Sequence, residues 1–529
     1  MIRVFIVTCI LISLTFLVFS DTLNYEFLNW DDDVYVTAND RVKSGEDPWW
    51  WFLHTYYYSY IPITMLSHQA DYAMFGGMAK GHHLANVLLH SFNTGWVFLV
   101  GVVLISSRKQ LDGVIIAGMA AAALLFALHP LRAESVAWIS DRKDLLCAFF
   151  LLPAILFYIE YRKQEGSRFV FLVITFVLFL LAVLSKSIAI GIPLVFLTID
   201  WFLLSGDGWK KERWNLVYEK WPFIFVSSVL AIILLIIPSG GKQAYAVEQL
   251  QGAEVVLFPF YTVMFYLSKT VFPVDLSPVY PGIPLGSMIM SLILVVLVTV
   301  AVIAAASKGY KGSLAAWLIY LVFILPTIVG LSSGMQAQAD RFSYLSTISV
   351  YLLFGGGITW ALGRGSGLGR VLAGTGVTVA VLALASLTLR QIPIWQSSEQ
   401  LWGYVYETFP PSRDYVDAYV NLGSDLAYQM KLPEAEEVLR TATRVDSTNA
   451  DAFYNLAHVL YLQGEWETAA GLFLKSTEVD SNYADGYFNY AIVTSQLGRD
   501  EEAIPAMKKA ASLGLESAKA ALKQSGIPE

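Results

Sequence analysis

The sequence predicts an all-α protein in two parts: a polytopic membrane helix bundle over residues 1–391 and, beyond a linker at 392–415, an α-solenoid of helical repeats over 416–529. Three observations lead there. Apolar residues make up 56% of the chain and charged residues only 15%, with a mean hydropathy of +0.54, whereas soluble domains carry about 25% charged residues. The charges are unevenly spread, so that 1–391 holds the apolar runs and the remainder reads as an acidic soluble domain. After residue 415 the chain also repeats itself at a spacing of 34.

A bilayer core is crossed by about 20 apolar residues in helical conformation. Segments 2–20, 82–107, 113–129, 144–160, 169–185, 188–206, 222–238, 286–306, 312–332, 344–363 and 371–390 give about eleven spans. The stretch 255–272 is apolar but carries Lys269 and ends in Pro273, so it either spans or lies re-entrant. Basic connections mark the cytoplasmic side: Arg108/Lys109, Arg162/Lys163/Arg168, Lys210/Lys211/Arg213/Lys220, Lys308/Lys311 and Arg364/Arg370. They alternate only if 255–272 does not fully cross, which puts the N-terminus inside and the repeats outside. Val18-Phe19-Ser20 is a poor cleavage site, so the first segment reads as a signal anchor. Cys9 and Cys147 fall in apolar segments, which excludes a disulfide framework and a Cys-based metal site. A net charge of −8 argues against nucleic acid as a partner.

In the C-terminal part, Asn421-Leu422-Gly423, Asn455-Leu456-Ala457 and Asn489-Tyr490-Ala491 recur, as do Ala435, Ala469 and Ala503. Gly464 and Gly498 mark turns between paired helices, with Met430 in the equivalent slot of the first unit. Three units of this helix–turn–helix pattern resemble the tetratricopeptide repeat. Such concave surfaces bind peptides and protein partners of many kinds, or serve only for packing.

Beyond the first apolar segment stand three adjacent carboxylates, Asp31, Asp32 and Asp33, in an aromatic setting that includes Phe27, Trp30 and Tyr35. A loop of acids is either solvated, a cation site, or kept for chemistry. Ionisable residues near spans are costly, about 2.5–3.5 kcal/mol at mid-helix, and here they gather at the outer ends of spans. His129, Glu134, Arg142, Lys143, Lys186, Asp340, Arg341 and Tyr344 are of this kind. Cations near a phosphate stabilise the charge that develops on a leaving group, Arg by a bidentate fork and Lys as a point charge. A carboxylate in reach of an incoming hydroxyl takes its proton. Asp141-Arg142-Lys143-Asp144 also reads as a salt-bridged helix start, and His129 before Pro130 as a helix-end hydrogen-bonder. His82, His83 and His90 have metal-like spacing but no clear outer carboxylate partner, so no metal ligands are assigned.

The chain resembles the transmembrane and tetratricopeptide-repeat-containing proteins and their prokaryotic relatives, which have a C-type (GT-C) glycosyltransferase fold. The resemblance rests on Trp30-Asp31-Asp32 with Tyr35 and Asn39, on Pro62 to Tyr72 followed by His83, Asn86 and His90, and on His129-Pro130 through Glu134 to Arg142-Lys143-Asp144. Ser185-Lys186 and Ala339-Asp340-Arg341 through Tyr344 continue it. It implies sugar transfer, mannose in the animal members, from a polyprenyl-phosphate donor to a protein hydroxyl, in a multi-pass protein of the prokaryotic inner membrane with extracytoplasmic repeats. The catalytic acid then maps to Asp31 or Asp32, and the donor phosphate to Arg142, Lys143, Lys186 and Arg341. His83, His129, Glu134, Asp340 and Tyr344 are further site candidates. Where the family has Arg before Pro and Glu after Lys, this chain has Ile61 and Ser187.

The expected partners are the lipid-linked sugar donor, membrane lipids and an acceptor protein engaged by the repeats. No cofactor is obligatory, although the paired acids leave room for a divalent cation. The competing reading is a non-catalytic membrane-anchored scaffold for an envelope complex. A transporter is less favoured, because the spans show no internal duplication.

Overall fold

Every apolar segment read from the sequence is helical in the computed structural model, which describes residues 1–57, 59–107, 109–163, 169–204, 207–236, 250–328 and 336–528. Among the described residues the only extended pairing is an isolated bridge between Tyr56 and Ser59. Two compact units divide at Gln396/Ser397. The stretch 392–415, expected as a linker, is shared between them: Ile392–Trp395 is a short helix of the first unit, and Ser398–Thr408 is a helix packed on the first repeat helix of the second.

Among the described residues of the first unit, six helices are by themselves long and apolar enough to cross a membrane: Ile2–Asn24, Ala79–Ser106, Ile139–Lys163, Leu285–Ser307, Lys311–Ile328 and Gly367–Trp395. Two more expected spans are broken. Gly113–Ala127 meets Pro130–Ala137 at 57°, and Asp340–Ser346 meets Ile348–Arg364 at 55°. Phe169–Ser185, Ser187–Leu203 and Trp221–Ile236 are shorter apolar helices among the described residues. Ala253–Val271 is helical without meeting the criteria for a span.

The first break has a local cause. Pro130 cannot continue the preceding helix. His129 is extended there and accepts the Leu131 N–H through Nδ1 at 3.3 Å, capping the short helix that follows. Backbone groups freed by breaks need partners where lipid excludes water, and buried side chains supply them. Asn86 donates to the carbonyls of Val136 and Trp138, Asn93 to that of Leu145, and Thr64 to that of Ser185.

At the other end of these helices, Asp200 accepts from Arg162 at 2.7 Å, Tyr158 at 2.7 Å and Lys220 at 2.8 Å, with Glu219 beside Arg162. Arg162 and Lys220, read from the sequence as orienting loop charges, are therefore committed to a buried network. Arg108 and Arg168 lie outside the described residues, as do the side chains of Lys210, Lys211 and Arg213.

In the second unit the repeat pairs are Val416–Tyr428 with Leu432–Val445, Ala450–Leu462 with Trp466–Val479, and Ala484–Gln496 with Asp500–Ser512, followed by Glu516–Gln524. The periodic alanines 435, 469 and 503 are buried at helix contacts. Met430 takes φ +60° where Gly464 and Gly498 take +88° and +76°, so the same left-handed turn is built in the first unit at a side chain's expense.

The helices Gly113–Ala127 and Ile348–Arg364 touch backbone to backbone. A Cβ on Gly118 would lie 2.0 Å from Thr359 Oγ1 and 2.8 Å from the Gly355 carbonyl. Small residues at such crossings let membrane helices approach closely. Gly118→Val should therefore force the two broken helices apart and abolish a folded peak in detergent size-exclusion chromatography. Gly357→Ala, which meets open space, should leave the thermal midpoint unchanged or raise it.

Candidate active site

The polar centre forms where the chain leaves helical geometry: the loop around Asp31, the turn Trp138–Asp141, Lys186 and Ala339–Arg341. Asp32 is fully buried and joins the first two. Its Oδ1 accepts the Ser140 N–H at 2.9 Å and the Ser140 hydroxyl at 2.5 Å, and its Oδ2 accepts the Leu28 N–H at 2.9 Å. Burial pushes the carboxyl up to about 6 against the pull of those hydrogen bonds. Asp32 is thus a clamp between two backbone segments. Asp33, set aside in the sequence, is exposed.

Asp31 is part-exposed. Burial raises its carboxyl above the usual range, while Lys143 and Arg341 draw it back down. Lys143 is itself part-exposed, has its ammonium 5.2 Å from the centroid of the Tyr35 ring, and forms no ion pair within 4.0 Å among the described residues. Arg341 is hydrogen-bonded on one side and faces a second carboxylate on the other. Glu134 accepts from its backbone N–H at 2.9 Å and from Nη1, and Gln336 accepts from Nη1 at 2.5 Å. The Nε–Nη2 edge makes no hydrogen bond among the described residues, with Asp141 Oδ1 3.9 Å from Nε. That edge is the fork that matches phosphate geometry.

The other residues picked from the sequence are committed elsewhere. Arg142 pairs with Asp71 at 2.5 Å and donates to Asn86 Oδ1 and the His82 carbonyl, both at 2.8 Å. Lys186 pairs with Asp144 at 2.6 Å. Ile61, in place of the family's Arg, is buried in an apolar cluster with Trp51, Met65 and Ile139. Asp340 accepts from the Tyr280 hydroxyl at 2.6 Å. The Tyr344 hydroxyl lies 2.8 Å from His90 Nδ1 and accepts from Asn93 at 3.1 Å. His129 reaches the Thr270 carbonyl at 3.2 Å and His83 the Glu26 carbonyl at 3.4 Å. His129 is therefore the helix-end hydrogen-bonder that its place before Pro130 suggested, and His83 tethers the acidic loop.

Four residues absent from the sequence-derived set matter to this geometry: Ser140, Asp71, Asp144 and Asp141. The first three are the hidden partners of Asp32, Arg142 and Lys186. Asp141 is fully buried and neither of its oxygens has a hydrogen-bond partner. Polar residues one and four positions along a helix start gave the available signal, but nothing in the chain pairs them. Among the described residues no three His, Cys, Asp or Glu side chains are grouped to hold a metal ion.

An apolar cavity of about 190 Å³ lies between the helices, lined by Gly101, Met119, Phe202, Gly312 and Gly356 among others. Through shared walls at Leu104, Ile199, Ile319 and Leu352 it adjoins a smaller one of about 50 Å³ that reaches Leu345, four residues beyond Arg341.

A family model described as "TPR repeat" matches residues 423–464. The chain is 34% identical over 191 residues to protein O-mannosyl-transferase Tmtc1 of Drosophila melanogaster, covering 34% of this chain and 21% of the relative. It is 36% identical over 121 residues to protein O-mannosyl-transferase TMTC4 of Mus musculus, covering 22% and 16%. The match thus spans about a fifth of the length of these relatives. Among solved structures, ArnT from Cupriavidus metallidurans in the apo state aligns over 91% of this chain and 79% of that one, with a TM-score of 0.40 and 16% identity.

The two candidate acids should separate on substitution. Asp32→Asn sets an amide N–H₂ against the Leu28 N–H and strands it, at about 1–3 kcal/mol. It should lower the thermal midpoint by several degrees. Asp31→Asn should leave the midpoint within about one degree of the parent, a change typical of surface sites. Scanning fluorimetry of the two purified variants reads both, and equal midpoints would sink the assignment of Asp32 as the clamp.

Proposed function

We propose that this chain is an integral membrane glycosyltransferase that moves a sugar from a polyprenyl-phosphate donor to a protein hydroxyl on the extracytoplasmic face. The observation that carries this reading is a part-exposed Asp31 carboxylate under the charges of Lys143, which forms no ion pair among the described residues, and of Arg341, whose Nε–Nη2 edge makes no hydrogen bond among them. The names of the similar O-mannosyl-transferases support mannose as the sugar and protein as the acceptor.

In this reading the acceptor hydroxyl attacks the anomeric carbon as the sugar–phosphate bond breaks, and polyprenyl phosphate leaves with the bonding pair. Asp31 takes the hydroxyl proton. Arg341 and Lys143 stabilise the charge arriving on the phosphate. A single displacement inverts the anomeric centre. The apolar cavities provide a path for the carrier tail, and the repeats engage the acceptor. No step runs through a metal. Ile61 in the slot of a family cation favours the scaffold reading as the second choice, because it leaves the site one positive charge short of the pattern.

Asp31→Asn should cut release of polyprenyl phosphate from polyprenyl-phosphate mannose by at least about 100-fold, the lower end of what a general base contributes. Undiminished turnover in that variant overturns the catalytic assignment. Lys143→Met removes a cation that holds the Asp31 carboxyl down. The base works only when deprotonated, so its higher pKa should move the acid limb of the pH–rate profile to higher pH. A limb that stays in place or moves to lower pH contradicts the role of Asp31 as base.

A further inference from the structure

Asp141 ends the short helical turn Ile139–Asp141, one residue beyond the Ser140 that holds Asp32. Its side chain is 0% exposed, yet neither carboxylate oxygen has a hydrogen-bond partner among the described residues. Arg341 Nε stands 3.9 Å from Oδ1, beyond hydrogen-bond reach. The other charges acting on it are Asp144, Lys186 and Lys143. The acids around it are served: Asp32 by Ser140 and Leu28, Asp144 by Lys186, and Glu134 by Arg341. A carboxylate has room for about four hydrogen bonds, and keeping one out of water without donors is costly. The Tyr35 hydroxyl feels Asp31, Arg341 and Asp141 alike, so this acid shares the neighbourhood of the proposed base and of the phosphate fork.

We propose that Asp141 reads the sugar, its two oxygens accepting hydrogen bonds from neighbouring hydroxyls of the ring that is transferred. The inference rests on the transferase reading and deepens it by assigning a specificity contact in the same site. The ring links the phosphate, proposed at Arg341 and Lys143, to the anomeric carbon attacked by the hydroxyl that Asp31 deprotonates. Its hydroxyls therefore fall beside Arg341, where Asp141 stands. Neutral O–H donors pair with the acid without the repulsion that a second anion would meet. A few fixed polar groups are what orient a ligand in such a site. Asp141 is fixed: its backbone N–H donates to the Trp138 carbonyl at 3.2 Å, within the turn that Ser140 clamps to Asp32. Burial makes the contact selective, because a sugar lacking the hydroxyl leaves the acid unpaired where water does not replace it.

The competing role is that of a counter-ion to Arg341 which the donor phosphate displaces, and the two differ in the sign of their effects. The full chain in lipid nanodiscs is titrated with undecaprenyl phosphate, with the same carrier bearing mannose, glucose or galactose, and with deoxy analogues of the sugar it prefers. The parent should bind the preferred carrier at least about tenfold more tightly than the analogue lacking the contacted hydroxyl, the lower end for a hydrogen bond to a charged acceptor. Asp141→Asn should bind the two alike and leave the sugar-free carrier unaffected, and Asp141→Ser should behave likewise. Both variants should keep or raise the thermal midpoint, since each removes a buried charge without close partners. A preference for the hydroxyl that survives both substitutions, equal weakening with and without sugar, or a midpoint several degrees lower in both variants overturns the role of Asp141 alone. Tighter binding of the sugar-free carrier by Asp141→Asn overturns it in favour of the counter-ion. A parent protein that binds none of the carriers overturns the transferase reading and this inference together.

Discussion

Two hydrogen bonds from Ser140 to a carboxylate that never meets water hold the candidate site together. Hydrogen bonds to a charged acceptor are worth about 1.5–3 kcal/mol each, and here they fasten the first loop to the turn that opens the helix Arg142–Lys163. That fastening fixes Asp31 near Lys143 and Arg341 and keeps Trp30 on Trp138. The His83 contact with the Glu26 carbonyl adds a second tether to the same loop. Asp32 earns its place in the sequence motif by geometry.

The cations divide by whether their donors are engaged. Arg142 and Lys186 face single carboxylates at 2.5 and 2.6 Å, and breaking such buried pairs strands a charge at about 3–5 kcal/mol. They stabilise the frame. Lys143 and one edge of Arg341 keep free donors beside the part-exposed acid. A dense cluster of charges thus resolves into closely paired cations and a small remainder that makes fewer contacts.

The architecture was legible because its signals are periodic or compositional. Apolar run length marked the long apolar helices of the first unit, and the 34-residue spacing marked the repeats down to Met430 in the glycine slot. Of the residues singled out in the sequence, Arg341 and Glu134 pair directly, and Asp31 feels the charges of Lys143 and Arg341. What the chain could not reveal was pairing across long separations. That Asp71 binds Arg142, that Asp144 binds Lys186, and that Ser140 closes on Asp32 depend on how helices cross. Hydropathy does not report a bend, so the His129-Pro130 break, a local conformational event inside an apolar run, was not legible. Arg162 and Lys220 read as loop charges for a similar reason: their partner, Asp200, sits at the end of another helix.

The two broken helices are joined at two levels. Glycines 118 and 355 bring their straight halves into backbone contact. At the breaks, Arg132 at the first donates to Ser343 at 2.9 Å and Thr347 at 3.2 Å on either side of the second. With two points of attachment, neither elbow can flex without the other. Any motion that widens the space around Arg341 is thereby a rotation of both elbows as one geared part, and its stiffness is set by Gly118, Gly355 and Arg132.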